Sequence, residues 1–149
     1  MLPRMQPAAA ATDACSAVMT VAAQAAAVVA GAAAGGLLRW AVTLWLNPLW
    51  GGFAIGTLAV NAVGGFGVGL AVGWLTLHPN EWLRLLAVTG FLGGLTTFSA
   101  FSIESFSLLQ RGAYGLALLH TLAHWGLSLA GVAAGWAWIQ RCCAPAALA

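Results

Sequence analysis

The sequence predicts an all-α integral membrane protein of four transmembrane helices, and three observations carry that prediction. Of its 149 residues 62% are hydrophobic and 5% charged, with a mean hydropathy of +0.93, a balance that a water-facing globular surface does not have. Apolar stretches of membrane length recur between short turn-forming segments. A span needs about 20 apolar residues to cross about 30 Å of hydrocarbon, so the chain has room for about four, in one domain. The third stretch contains Gly90 to Ser105, GFLGGLTTFSAFSIES, and is interrupted near its middle by Gly93-Gly94, followed by hydroxyls at Thr96, Thr97, Ser99 and Ser102 and rings at Phe98 and Phe101. Each free backbone group costs roughly several kcal/mol in lipid, so irregular backbone at membrane depth survives only inside protein or along a polar cavity. Such a break marks an ion or substrate site.

Residues 1–18 are alanine-rich and carry Pro3, Arg4, Pro7 and Asp13; they read as a disordered or frayed extension. A signal peptide is the alternative, but Asp13 interrupts its apolar region. The membrane domain is expected over residues 19–141. Its first span, about 18–46, ends at Asn47-Pro48 and carries Gly31 and Gly35, whose spacing lets helix backbones approach closely. Arg39, late in that span, has two readings: a side chain snorkelling to the headgroups, or the mouth of an anion pathway.

The second span, about 53–77, has Gly65, Gly69 and Gly73 on one packing stripe and Thr57 and Asn61 in its first half. Asn61 lies roughly 12 Å inside, where a carboxamide needs partners. His78-Pro79-Asn80 closes the span as a turn. The third, about 82–110, carries the break and then Glu104; Arg111 and Gly112 form the next loop. In the fourth, about 114–140, His120, His124 and Ser128 recur every fourth residue and share one face. Together with Glu104 the histidines have the ligand types of a transition-metal site, but a hydrogen-bonding track beside a pore fits better, because polar side chains within spans face cavities.

The cysteines, Cys15, Cys142 and Cys143, lie near the ends without metal-site spacing and read as incidental thiols, two of them in a C-terminal tail of residues 142–149. All five basic residues are arginine and the net charge is +2, too little for a nucleic-acid surface. With alternating spans, Arg4, Arg84 and Arg141 fall on one side, Arg111 on the other and Arg39 toward that second side. So weak a bias lets one chain insert both ways up and pair antiparallel with itself.

Three segments in this order, GGLLRW ending at Trp40, GTLAVN at Gly56 to Asn61 and GGLTTFSAFSIE at Gly93 to Glu104, resemble the Fluc, or CrcB-type, fluoride channels of microorganisms over about residues 25–140. The resemblance implies an antiparallel, dual-topology homodimer in the bacterial plasma or inner membrane. It implies two pores for passive fluoride efflux, and so resistance to fluoride, with a central structural sodium ion between the subunits. The backbone carbonyls of Gly93 and Thr96 match the family's sodium ligands. Phe98, Phe101 and Asn61 match its fluoride residues: an aromatic ring has a positive edge that can meet a small anion, and an amide offers two donors. Thr57 and Ser102 add hydroxyls, while Glu104, His120, His124 and Ser128 match the family's polar track. Ala100 replaces a hydroxyl residue, leaving Ser99 and Ser102 as neighbouring hydroxyls.

Two other functions compete. A small multidrug exporter also pairs four short spans with dual topology, but it needs a membrane glutamate in the first span, and here the membrane-region carboxylate is Glu104 in the third. A membrane subunit with no transport role leaves the break unexplained. Neither these nor the channel reading makes the chain an enzyme.

Overall fold

A computed structural model describes residues 7–143, with side chains from residue 20 onward. Four of its helical stretches are long and apolar enough to cross a membrane: Thr20–Leu49, Ile55–Leu77, Glu81–Gln110 and Tyr114–Cys143. The first belongs to α1, Pro7–Leu46, which starts eleven residues before the expected limit near residue 18. Alanine has the highest helix propensity of any residue, so an alanine-rich lead extends the helix even without an amphipathic pattern. The remainder of that lead, residues 1–6, lies outside the described residues, as does most of the tail, residues 144–149.

A 3-10 turn, Asn47–Leu49, ends the first stretch, with Pro48 in its first positions. Helix α2, Ile55–Leu77, follows, its N-terminus capped by Asn47, whose Oδ1 accepts from the backbone N–H of Gly56 at 2.8 Å and of Thr57 at 3.3 Å. The His78-Pro79-Asn80 turn leads into the third stretch, where Asn80 Oδ1 caps α3, Glu81–Leu83, by accepting from Leu83 N at 3.0 Å. A π-helical stretch, Arg84–Leu92, and α4, Gly93–Leu95, continue it. Then come two residues of extended backbone, Thr96 (φ −80°, ψ 155°) and Thr97 (φ −150°, ψ 121°), before α5, Phe98–Gln110. The expected interruption at Gly93-Gly94 therefore needs moving: Gly93 is helical (φ −64°, ψ −35°), and the residues that leave helical geometry are the two threonines. β-Branched threonine favours extended backbone. After the Arg111-Gly112 loop, with Gly112 at φ 71°, α6 runs Tyr114–Cys143, so Cys142 and Cys143 belong to its last turn, where the tail had been expected.

Glycines govern how these helices meet. Along α2 and α6 the contact is backbone to backbone: a Cβ at Gly65 would come within 2.6 Å of Ser128 O, and one at Gly131 within 2.8 Å of Ala62 O. Gly69 and Gly135 face Val132 O and Phe66 O more closely still. The same device joins α1 to the third stretch, since a Cβ at Gly90 would meet Val28 O at 2.8 Å and one at Gly94 would meet Ala32 O at 2.6 Å. Gly31 and Gly35 face Leu86 O and Phe91 O from the other side. In lipid, helix association relies on such close packing, because the tails are as apolar as leucine. Gly94 is thus placed for close approach to α1. A small apolar core of Val60, Leu92 and Leu95 lies where α2 meets the third stretch.

Candidate functional site

The two extended threonines sit against α2, and Asn61 holds them. Its Oδ1 accepts from Thr97 N at 2.8 Å and its Nδ2 donates to Thr97 O at 3.0 Å, so one carboxamide satisfies both polar groups of one residue's backbone. In a continuous helix Thr97 N–H would donate four residues back, to Gly93 O. That donor goes to Asn61 instead. Within the first turn of α5, Ala100 N–H is taken by Thr97 Oγ1 at 3.2 Å, the N-cap of that helix. The carbonyls of Gly93 and Thr96 lose these two donors, and Gly93 is exposed on the single chain. Gly94 O is different: Arg39 Nε donates to it at 3.1 Å.

On the other side of Asn61 lies α6. Asn61 Nδ2 approaches His124 Nδ1 at 3.2 Å, and His120 Nδ1 lies 3.0 Å from Ser105 Oγ. His120 is fully buried and His124 is 4% exposed, with ring centroids 4.4 Å apart. Phe101 covers both: its ring stacks on His120 at 5.5 Å and 6°, and tilts against His124 at 4.9 Å. Phe98 lies 5.5 Å from Phe101, as the i, i+3 spacing requires, but is 74% exposed on the single chain. Asn61, Thr96, Thr97, Phe98, Phe101, His124 and Ser128 line a cavity of about 450 Å³.

A second polar chain lies one turn away. Asn47 Nδ2 donates to Thr57 Oγ1 at 3.5 Å, and Thr57, fully buried, donates to Glu104 Oε1 at 2.6 Å. Glu104 Oε2 faces His120 Nε2 at 3.5 Å. Glu104, His120 and His124 each bring one metal-type ligand atom to within 4.8 Å of the others, which by geometry is a possible metal-binding group. Three buried atoms here lack a hydrogen-bond partner: Glu104 Oε2, His120 Nε2 and His124 Nε2. Arg39, Thr57, Thr97, Ala100 and Glu104 border a cavity of about 290 Å³, which sets the Arg39 guanidinium on the same space as the carboxylate.

A CrcB-like protein model, described as "Camphor Resistance (CrcB)", matches residues 26–136, a range that contains every candidate residue from Arg39 to Ser128. The chain belongs to the CrcB-like family. It is 52% identical over 110 residues to a "Fluoride-specific ion channel FluC" of Cupriavidus pinatubonensis, covering 72% of this chain and 86% of that protein. It is 54% identical over 86 residues to the protein of that name from Bordetella petrii, covering 56% and 66%. For the one from Cupriavidus necator the figures are 52% over 110 residues, 72% and 86%.

For this CrcB-like chain the geometry brings together Asn61, Phe98, Phe101, His124 and Ser128 around one cavity, and Thr57, Glu104 and Arg39 around another. Ser102 stands apart from both. Its hydroxyl donates to Phe98 O at 2.8 Å within its own helix, and Ser99 Oγ pairs with Thr97 Oγ1 at 3.2 Å, so neither hydroxyl is free where Ala100 lacks one. Sequence reasoning missed three residues of the network: Asn47, Phe53 and Ser105. Phe53 meets His120 edge-on at 5.0 Å and 72°. Ser105 follows Glu104 directly, and its polarity inside an apolar run was the available signal.

Proposed function

We propose that this protein is a fluoride-selective channel through which fluoride leaves the cell passively, giving resistance to fluoride. The observation that carries the reading is the coincidence of two things: membership of a family whose relatives are named fluoride-specific ion channels, and a cavity lined by Phe98, Phe101, Asn61, His124 and Ser128. Ring edges are electropositive and suit a small anion that ring faces repel. Thr57, Glu104, His120 and Arg39 belong to the same pathway, with Arg39 at its mouth. Ser102, whose hydroxyl is bonded within α5 and which lines neither cavity, joins the pathway only through the family resemblance.

The channel is an antiparallel homodimer in the cell membrane. The weak arginine bias supports dual topology, and the exposure of Phe98 beside the cavity supports a second copy that covers it. Two inverted subunits let each pore draw Phe98 from one chain and Phe101 from the other. A structural sodium ion fits between the subunits: the carbonyls of Gly93 and Thr96 are released from the helical ladder, and carbonyl oxygens are the ligands a hard cation prefers. Sodium, when bound, supplies a fixed positive charge to that region.

Passive flow suffices. Neutral HF crosses the bilayer from acidic surroundings, loses its proton inside and is trapped as the anion, so a fluoride-selective leak empties the cell. Selectivity against chloride protects the membrane potential. Purified protein in liposomes loaded with potassium fluoride or potassium chloride, with sodium present on both sides and valinomycin as the counter-ion route, tests the reading with ion-selective electrodes. Fluoride efflux without chloride efflux is expected; equal release of both anions, or release of neither, refutes it.

A further inference from the structure

The Thr97–Asn61–His124 contact carries more than a distance, because the backbone fixes its direction. An amide oxygen and nitrogen are normally interchangeable in assignment. Here they are not: Thr97 N–H can only donate, at 2.8 Å, and Thr97 C=O can only accept, at 3.0 Å, so Asn61 must turn Oδ1 to the first and Nδ2 to the second. The remaining hydrogen of Nδ2 then faces His124 Nδ1 at 3.2 Å. A donor facing Nδ1 requires a lone pair there. It excludes the Nδ1–H tautomer and also the doubly protonated ring, and leaves the proton of His124 on Nε2.

That Nε2 is one of the buried atoms with no partner in the chain, on a side chain 4% exposed that lines the 450 Å³ cavity with Phe98, Phe101 and Ser128. We propose that Asn61, braced by the backbone of Thr97, is a positioning residue that locks His124 as an Nε2–H donor, and that this donor contacts the permeating anion. The proposal rests on the channel reading and refines it: both amide hydrogens of Asn61 are already engaged, so its part in anion binding is exerted through the imidazole. It also makes the Glu104–His120–His124 group a poor metal site, since one His124 nitrogen then carries a proton and its lone-pair nitrogen is turned to Asn61. His120 has no such lock, because the Ser105 hydroxyl 3.0 Å from its Nδ1 can give or take a hydrogen bond.

The test is nitrogen NMR of the full chain, labelled with ¹⁵N-histidine and reconstituted in lipid, where ring shifts and couplings separate the two tautomers and the imidazolium. Single His→Gln variants at His78, His120 and His124 assign the three rings. Wild-type His124 is expected as Nε2–H, and added sodium fluoride should shift that resonance while sodium chloride does not. Asn61→Asp keeps an acceptor for Thr97 N–H but removes the donor to His124, so His124 should gain a proton on Nδ1 and fluoride efflux should fall by about tenfold or more. Wild-type His124 with a proton on Nδ1 overturns the proposal, whether or not the variant folds. So does an Asn61→Asp protein whose His124 is unchanged, or a wild-type resonance indifferent to fluoride while efflux is intact. Absent efflux from a wild-type chain that shows the Nε2–H form refutes the channel reading and leaves the tautomer lock standing.

Discussion

Replacing Phe98 and Phe101 by isoleucine separates a pore role from a packing role, and the two rings should fail differently. Isoleucine keeps much of the apolar bulk and removes the electropositive ring edge. Phe101 is 9% exposed and contacts three other rings: Phe98, His120 and His124. Aromatic pairs are worth about 0.5–1.5 kcal/mol each beyond their area, so Phe101→Ile should cost roughly 2–4 kcal/mol of stability. Phe98 is 74% exposed on the single chain and keeps one such contact, so Phe98→Ile should cost about 1 kcal/mol within the subunit. Thermal unfolding in detergent should rank the variants in that order, with Phe98→Ile still a monodisperse dimer. Fluoride efflux from liposomes should nevertheless fall strongly in both. Normal efflux from both single variants would remove the rings from the pathway. Efflux lost only in proportion to unfolding would make them packing residues.

Dual topology predicts that Gln110→Cys, in a chain whose Cys15, Cys142 and Cys143 are serine, reacts with an impermeant thiol reagent from both membrane faces; labelling from one face only, in a functional sample, indicates a separate partner chain. Replacing sodium by N-methylglucamine on both sides should abolish fluoride efflux, whereas a reversal potential that follows the sodium gradient would replace the structural ion by cotransport. Gly69→Val drives a Cβ branch into the α6 backbone at Val132 and Trp136 and should lower stability by about 1–3 kcal/mol or prevent assembly, while Gly126→Ala, with open space around it, should be neutral by the same melting assay.

Much of the fold was legible because lipid simplifies the problem. Run length alone marks the spans, and the glycine spacing at Gly31/Gly35 and Gly65/Gly69 foretold which faces meet backbone to backbone, while Gly73 on the same stripe packs against the Ile139 side chain. Helical periodicity likewise put His120 and His124 on one face, and they do lie side by side. What failed to show was local competition for hydrogen bonds. Glycine content pointed to Gly93-Gly94 as the irregular backbone, yet Gly93 is helical, Gly94 serves a close approach to α1, and the extended residues are Thr96 and Thr97, selected by a partner 36 positions away at Asn61. Ser102 looked like a free donor, but a serine inside a helix can bond the carbonyl four residues back, and it does. Asn47 read only as a stop signal, although it both caps α2 and orients the Thr57 hydroxyl toward Glu104.

The Thr97 backbone explains why irregular geometry is tolerated at membrane depth and why the cation and anion sites should not be separable. Extended backbone in hydrocarbon is stable only if each displaced polar group finds another partner. Asn61 supplies that partner to Thr97 N–H and C=O together, and in doing so removes the donor that would have covered Gly93 O. The third bond of the same side chain, to His124 Nδ1, sends the imidazole proton to the far side of the ring, onto the buried Nε2 that has no partner in the chain. If the proposed sodium and fluoride sites hold, one carboxamide would release a carbonyl for the cation and fix the donor offered to the anion, opposite needs met by the two ends of one hydrogen-bond relay. A substitution at Asn61 should damage both sites at once, whereas one at Ser128, which lines the same cavity without joining the relay, should alter anion passage and leave the sodium requirement as it was.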